Sequence, residues 1–461
     1  MRKQHDVIVI GGGSAGYAAA RTARAAGADV AIIDHGPLGG LCILRGCMPT
    51  KAILRSAELA ALFRRSAEFG FPSVSLRGEL SAIVDRKNRL VREFTEYRVQ
   101  QLRDPSFTLY QERAAFRSPQ EIVAGDHVLT GRSFIIATGS SPNDVAVPGL
   151  AETGYLTSDS ILDLRTQPDS LLVLGAGPVA VELGQFFARL GTKVTMLQRG
   201  RTILSQMDED VGRALEAALR EDGIEIITDA QLGRVFREGE RKSVQITQRD
   251  RERVVTGGEL LQALGRRPNI AGLNLDVAGV KVEDGRIRID DSMRTSQPHI
   301  YAAGDVNDLN PIVHLAIQQG EVAGYNATHP KEPAKQLDHR LDAEVVFTEP
   351  QVAVAGLSER SCRAYGIPYL VASYPFADHG KALCRGDLHG FVKLLAAPSN
   401  GRLLGAQIVG PEAGELIHEL IAVMYFHGTA EDLLRIPHYH PTLAEIVTYP
   451  AESLVEQLGA L

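Results

Sequence analysis

The feature that most constrains the fold is a strand, glycine turn, helix and strand that occurs twice, with its first glycine at Gly11 and again at Gly175. In the first copy, residues 7–10 read as a buried strand, Gly11-Gly12-Gly13-Ser14-Ala15-Gly16 as the turn, residues 17–26 as a helix, and Val30–Ile33 as a second strand ending at Asp34. Such glycines let backbone amides at a helix N-terminus approach a pyrophosphate, and the strand-end acid can accept from a ribose hydroxyl. Glycines alone would also suit a structural turn. Two strands and an acid around them make a dinucleotide-binding unit, and its duplication means two such sites. The second copy reads as a strand at 171–174, the turn Gly175-Ala176-Gly177-Pro178-Val179-Ala180, a helix at 181–190 and a strand Lys193–Leu197. It ends in Gln198, followed by Arg199 and Arg201. A missing carboxylate beside arginines leans towards a 2′-phosphate, and so to NADPH over NADH.

A second constraint lies between the copies, in Gly39-Gly40-Leu41-Cys42-Ile43-Leu44-Arg45-Gly46-Cys47-Met48-Pro49-Thr50-Lys51. Residues five apart in a regular helix are separated by ~7.5 Å along the axis, beyond the ~4.4–6.8 Å Cα separation a disulfide allows. A Cys42–Cys47 bond therefore requires an irregular backbone, which Gly39, Gly40 and Gly46 permit. Pro49 suits the first turn of a helix expected over 49–65, whose N-terminus favours a thiolate at Cys47. Two inert buried thiols are the alternative, against which the glycines, the proline and Lys51 all weigh. The spacing is not that of a zinc knuckle, and no second pair follows.

The 461 residues suggest about three domains. With 44% hydrophobic and 23% charged residues the composition is that of a globular protein with ample core. A net charge of −7 gives no phosphate-tracking surface, so nucleic acid is not an expected partner. Four cysteines fit a reducing cytosol with one working pair, leaving Cys362 and Cys384 as incidental small side chains. The apolar run at 7–10 is too short for a signal peptide, and no stretch approaches the ~18 apolar residues of a membrane span. The cytoplasm is the expected compartment, with no membrane partner.

Leu80–Leu102 has helical apolar spacing, residues 107–117 and 121–130 read as short antiparallel strands, and 133–137 as a buried strand leading to Thr138-Gly139. Pro142 and Pro148 mark a linker, and strands at 260–264 and 300–303 lead into Gly265-Arg266 and Gly304-Asp305. From about 341 the pattern becomes α+β, with strands at 344–347, 391–395 and 405–409, and helices Ala413–Tyr425 and 430–434.

Five motifs in order, Gly11–Gly16, Cys42–Lys51, Gly175–Glu182, Tyr301–Asp305 and His440–Glu445, carry a resemblance over essentially the whole chain to the class I pyridine nucleotide–disulfide oxidoreductases. This is the group of dihydrolipoamide dehydrogenase, glutathione reductase and mercuric reductase. The resemblance implies an α/β fold with two Rossmann-like domains and a C-terminal α+β dimerisation domain. The expected divisions are 1–148 and 271–340 for FAD, 149–270 for NAD(P), and 341–461 for the interface. His440-Pro441-Thr442-Leu443-Ala444-Glu445 after His438, with Phe391-Val392-Lys393-Leu394, is most similar to dihydrolipoamide dehydrogenase. The chain's last residues lack the cysteine pair typical of mercuric reductase. Leu41, the spacer Ile43-Leu44-Arg45 and Gln198 depart from the family pattern.

By the same resemblance, reducing equivalents pass between nicotinamide, flavin, the Cys42–Cys47 pair and a lipoyl-type dithiol, in either direction according to modest differences in potential. Cys47 is expected to be the thiolate facing the flavin and Cys42 the interchange thiol. Lys51, with Glu182 as its family partner, would stabilise reduced flavin. His440 would be the general base and Glu445 its orienting acid. His438 and His440 as metal ligands is the alternative, and no carboxylate or cysteine cluster completes such a shell nearby in sequence. The cofactor-binding positions implied are Gly11, Gly13, Ser14, Gly16, Asp34, Gly40, Lys51, Ala115, Thr138, Gly139, Asp305 and His314 for FAD. Gly175, Gly177, Ala180, Gln198, Arg199, Gly265 and Arg266 are implied for the nicotinamide nucleotide. A homodimer with shared active sites is expected. The competing readings are an NADPH-dependent disulfide or metal-ion reductase and a low-turnover redox-sensing flavoprotein.

Overall fold

Runs of β-branched residues alternating with alanine-rich segments become parallel strands flanked by helices. The computed structural model describes residues 1–74 and 78–459. The chain divides into two units, one of residues 1–52, 84–144 and 265–338, the other of residues 53–83, 145–264 and 339–461.

The first unit is built on a seven-stranded sheet. Thr108–Tyr110, Val30–Ile33, Arg2–Ile10 and His127–Ile136 run parallel in that order, with Ile300–Ala302 parallel to the end of His127–Ile136. Glu121–Ala124 and Ala114–Ser118 extend it antiparallel. Val30–Ile33 is buried along its whole length, as a covered parallel strand must be. Helices Ser14–Ala25 and Val313–Thr328 pack together through small residues. A Cβ at Gly320 would stand 2.2 Å from the Ala15 carbonyl oxygen, and one at Gly324 2.5 Å from that of Ala19. Any larger residue there would force the helices apart.

In the second unit Glu225–Ile227, Lys193–Leu197, Ser170–Leu174 and Glu259–Gln262 form a four-stranded parallel sheet, beside a three-stranded antiparallel meander, Ala230–Glu238, Arg241–Gln248 and Arg251–Gly257. The C-terminal segment is a five-stranded antiparallel sheet in the order Ala343–Val346, Gln351–Gly356, Leu403–Gly410, Phe391–Ala396, Leu370–Pro375. Ala413–Tyr425 and the C-terminal helix, which includes buried Ala451 and Leu454, cover it. A buried ion cluster holds this unit together. Lys393 Nζ lies 2.8 Å from Asp210 and 3.2 Å from Asp208 and Glu359. Asp208, the N-cap of helix Glu209–Glu221, turns its carboxylate away from that helix to accept the amides of Glu359 and Arg360 and the Gln407 side chain.

Three sequence readings need correction. The strand expected over 107–117 is two, Thr108–Tyr110 and Ala114–Ser118, separated by the polar Gln111-Glu112-Arg113. The strand expected over 121–130 breaks at Gly125, whose φ of +56° makes the turn into the long strand His127–Ile136. The helix expected from Pro49 begins at Cys47 and ends at Arg64.

Candidate active site

The two glycine turns share one backbone. Gly11 and Gly175 have φ of +105° and +101°, and their amides donate to Ile33 and Leu197 at 2.8 and 2.9 Å. A Cβ would stand 2.3 Å from the Ala137 oxygen at Gly11 and 2.7 Å from that of Ala263 at Gly175. Gly13 and Gly177 are extended N-caps of helices Ser14–Ala25 and Pro178–Arg189, and among the described residues no side chain caps either helix. The first-turn amides are thus left for a ligand, and above Gly177 a Cβ would meet nothing within 4 Å. The copies differ at the third glycine. A Cβ at Gly16 would stand 1.8 Å from the Gly11 oxygen, whereas the second turn accommodates a buried Ala180. Both cradles fit a dinucleotide.

Around the first turn, Asp34 accepts the Gly12 amide at 2.7 Å and the Gly36 amide at 2.8 Å, so the acid also braces the loop. Thr138 Oγ1 donates to the Asn269 carbonyl at 2.7 Å, and Gly139 adopts φ +70°. Ser140 Oγ donates to Asp305 at 2.7 Å and accepts from Arg266 Nε at 2.9 Å. Arg266, next to Gly265 and read from sequence with the second nucleotide, therefore lies in one network with Asp305 in the first unit. Ala115 sits on strand Ala114–Ser118, and His314 follows the first residue of helix Val313–Thr328. At the second turn Gln198 Nε2 donates to the Thr202 carbonyl at 3.1 Å, while Arg199 and Arg201 are exposed.

The cysteine run contains the irregularity its spacing demands. A short helix Gly40–Leu44 stops at Arg45, with φ −142°, and a new helix starts at Cys47. Gly39 and Gly40 have φ of +138° and +77°. A Cβ at Gly40 would lie 2.6 Å from Gly13 Cα, so the run packs directly on the first glycine turn. A Cβ at Gly46 would lie 3.2 Å from Cys42 Cα, so the backbone doubles back on Cys42 there. Cys42 and Cys47 are free thiols joined by a hydrogen bond. Donation to the Cys47 sulfur, then burial, raises the Cys42 thiol well above its ordinary range, while the Lys51 charge acts the other way.

Glu182 is buried in helix Pro178–Arg189 and accepts the Phe347 amide at 2.8 Å. Burial, then the Glu182 charge, raises the neighbouring Glu344 carboxyl. His440 Nδ1 lies 2.9 Å from Glu445 Oε2, and its ring is 77% exposed while Glu445 is 11% exposed. On the inner side, fully buried His379 brings Nε2 to 3.3 Å from Glu445 Oε1. Burial lowers the His379 pKa, which keeps that ring neutral. His438 lies 2.9 Å from a different acid, Glu419. Among the described residues, no group of three or more His, Cys, Asp or Glu is placed to hold a metal, and no helix is long and apolar enough to cross a membrane. Cys362 is buried and Cys384 exposed, both as free thiols. Sequence reading missed His379 and Glu344, because neither lies in a motif and tertiary contacts alone bring them to Glu445 and Glu182.

Residues 5–320 match the model of the pyridine nucleotide-disulphide oxidoreductases, and residues 343–451 match the dimerisation domain of the same group. A mercuric reductase of Bacillus cereus is 34% identical over 96% of this chain and 70% of its own length. A dihydrolipoyl dehydrogenase of Bacillus subtilis (strain 168) is 31% identical over 98% of both chains. Among solved structures, the HOCl-induced flavoprotein disulfide reductase RclA of Escherichia coli, as its Cu(II) complex, superposes with a TM-score of 0.86 at 25% identity, over 98% of this chain and 99% of its own.

Proposed function

Because the chain belongs to the pyridine nucleotide-disulphide oxidoreductase family, we propose that it is a flavin-dependent dithiol–disulfide oxidoreductase, acting on a lipoyl-type dithiol through Cys42 and Cys47. The observation that carries this reading is the Cys42–Cys47 hydrogen bond across the helix break at Arg45 and Gly46. FAD bound on the first glycine turn supplies the two-electron link between nicotinamide and sulfur. Gly11, Gly13, Ser14, Gly16, Gly40 and Asp34 would hold its phosphates and ribose, with Thr138, Gly139, Ala115, Asp305 and His314 along the rest. The second turn, through Gly175, Gly177 and Ala180, would take the nicotinamide nucleotide. The assignment of 1–148 and 271–340 to FAD, 149–270 to NAD(P) and 341–461 to the interface belongs to the same proposal.

The exchange balances as follows. A thiolate of the substrate dithiol attacks Cys42 of the oxidised pair, breaking the Cys42–Cys47 bond and leaving Cys47 as thiolate. His440 Nε2 takes the second substrate proton, and that sulfur displaces Cys42, closing the substrate disulfide. Two electrons have moved to the cysteines. In reverse, Cys42 attacks a substrate disulfide and His440 returns the proton to the departing thiolate. Glu445 fixes the Nδ1–H tautomer, so Nε2 faces the reacting sulfur. Lys51 and Glu182 are assigned to flavin reduction.

A second reading, an NADPH-linked disulfide or metal-ion reductase, draws support from exposed Arg199 and Arg201 beside neutral Gln198 and from the mercuric reductase relatives. Turnover of dihydrolipoamide, lipoamide, oxidised glutathione and Hg(II), each with NAD(H) and NADP(H), separates the two. Dihydrolipoamide oxidation dominating the panel is expected, and activity confined to NADPH with glutathione or Hg(II) favours the second. Negligible turnover throughout would leave a redox sensor. The dimerisation-domain match supports a homodimer with sites shared between chains. Mixing Cys42→Ser subunits with His440→Gln subunits should then restore part of the activity, and silent hybrids would refute it.

A further inference from the structure

Resting on the reading of His440 as the base that exchanges protons with the substrate sulfur, we propose that His379 is a positioning residue for that base, its buried imidazole holding the Glu445 carboxylate square to His440. The Glu445 side chain is buried, and among the described residues two imidazoles meet its carboxylate. His440 Nδ1 lies 2.9 Å from Oε2 and 3.2 Å from Oε1, and His379 Nε2 lies 3.3 Å from Oε1. His379 is itself anchored at both ends of its backbone. Its amide donates to the Phe376 carbonyl at 3.0 Å, and its own carbonyl accepts the Leu383 amide at 3.0 Å. It thus joins the 3-10 helix Phe376–Asp378 to helix Gly380–Arg385. Tyr449, in the C-terminal helix Thr448–Gly459, presents its ring edge-on at 6.2 Å and stacks on Tyr374 at 4.2 Å.

The terminal torsion of a glutamate is broad, so a contact to His440 alone leaves the carboxylate plane free to turn. A second donor on the other oxygen fixes it. Neither ring nitrogen of His379 makes an aligned hydrogen bond among the described residues, and Nε2 faces Glu445 Oε1. A neutral imidazole carries one N–H, and burying that donor unpaired is costly. The proton therefore belongs on Nε2, where a small turn of the carboxylate or the ring aligns the 3.3 Å contact. Burial keeps His379 neutral, and charge on His440 opposes any charge on it. The inner imidazole can thus donate to Glu445 without competing with His440 for the substrate proton.

His379→Leu removes the donor at similar volume, and His379→Gln returns an amide nitrogen near the place of Nε2. In the flavin-loaded enzyme, dihydrolipoamide turnover should fall roughly 10-fold in His379→Leu, in kcat more than in KM, and largely recover in His379→Gln. In a Glu445→Ala background the same His379→Leu change should cost less than about 2-fold, because the partner through which it acts is gone. Retained FAD and flavin reduction by the nicotinamide nucleotide show that the His379 variants are folded. In the parent protein, NMR of 15N-labelled histidine should find the His379 proton on Nε2, and this measurement decides alone where a variant loses its flavin. Parent-like turnover in His379→Leu, an undiminished further loss in the Glu445→Ala background, or a proton on Nδ1 would overturn the inference while leaving His440 as the base. If His440→Gln itself turned over dihydrolipoamide at the parent rate, the reading of the base would fall, and the role of His379 with it.

Discussion

Glu445 holds His440 by a 2.9 Å contact from Oε2 to Nδ1, while the rest of that imidazole stands exposed. A base fixed on one nitrogen and free on the other is arranged for proton transfer to a partner outside its own chain segment. His440→Gln should lower dithiol–disulfide turnover by roughly 10²–10⁴-fold, and Glu445→Gln by less, since the ring remains but its tautomer is no longer set. Steady-state rates with lipoamide and dihydrolipoamide measure both. Near-parent turnover in His440→Gln would remove the base from the scheme.

The two glycine turns predict an asymmetric response to one methyl group. Gly16→Ala places a Cβ against the Gly11 oxygen, which cannot yield without opening the turn. The variant should purify with little bound FAD, read from flavin absorbance against protein. Ala180→Gly, at the equivalent position of the second turn, should keep its flavin.

Much of this was legible in the sequence because glycine and cysteine spacing are local quantities. The strands Val30–Ile33 and Lys193–Leu197 and helices Leu80–Leu102 and Ala413–Tyr425 have the bounds that periodicity gives. The pairing of His440 with Glu445 spans five residues, from a turn into the short 3-10 helix Ala444–Val447. What stayed hidden depends on distant segments. His379 reaches Glu445 from the segment that follows strand Leu370–Pro375, and Asp208 meets Lys393 across 185 residues. The meander from 230 to 257 has charged, alternating strands that a linear reading passed over.

The buried cation of the second unit carries a stability prediction. Burial alone would lower the Lys393 pKa, but Asp210 and Asp208 outweigh it and the net shift is upward. Lys393→Met leaves Asp208 buried beside its remaining donors and should cost about 3–5 kcal/mol by denaturant titration. Asp208 and Glu359 are both held below their ordinary range, against the opposing effect of burial. Their contribution is present above the unfolded carboxylate pKa and is lost as pH falls through the folded values. The gap between parent and variant should therefore hold at neutral pH and close in acid.

Glu349 gives the opposite sign. Burial lifts its carboxyl to about 7, with Arg189 opposing and Glu58 adding to the rise. The folded chain binds this proton more tightly than the unfolded one, so stability is greatest in mild acid and is lost as pH rises through 7. Glu349→Gln should be the more stable protein at pH ~8, by up to about 3 kcal/mol, with the advantage vanishing below pH ~5. Parallel pH profiles for the two proteins would contradict it.

The most direct test of the whole account counts electrons. Flavin-loaded protein titrated anaerobically with reduced nicotinamide nucleotide or dithionite should take up twice the reducing equivalents of Cys42→Ser. The extra uptake should appear as two newly titratable thiols at Cys42 and Cys47. Equal uptake by parent and variant, with no new thiols, would mean that these cysteines do not exchange electrons with the flavin.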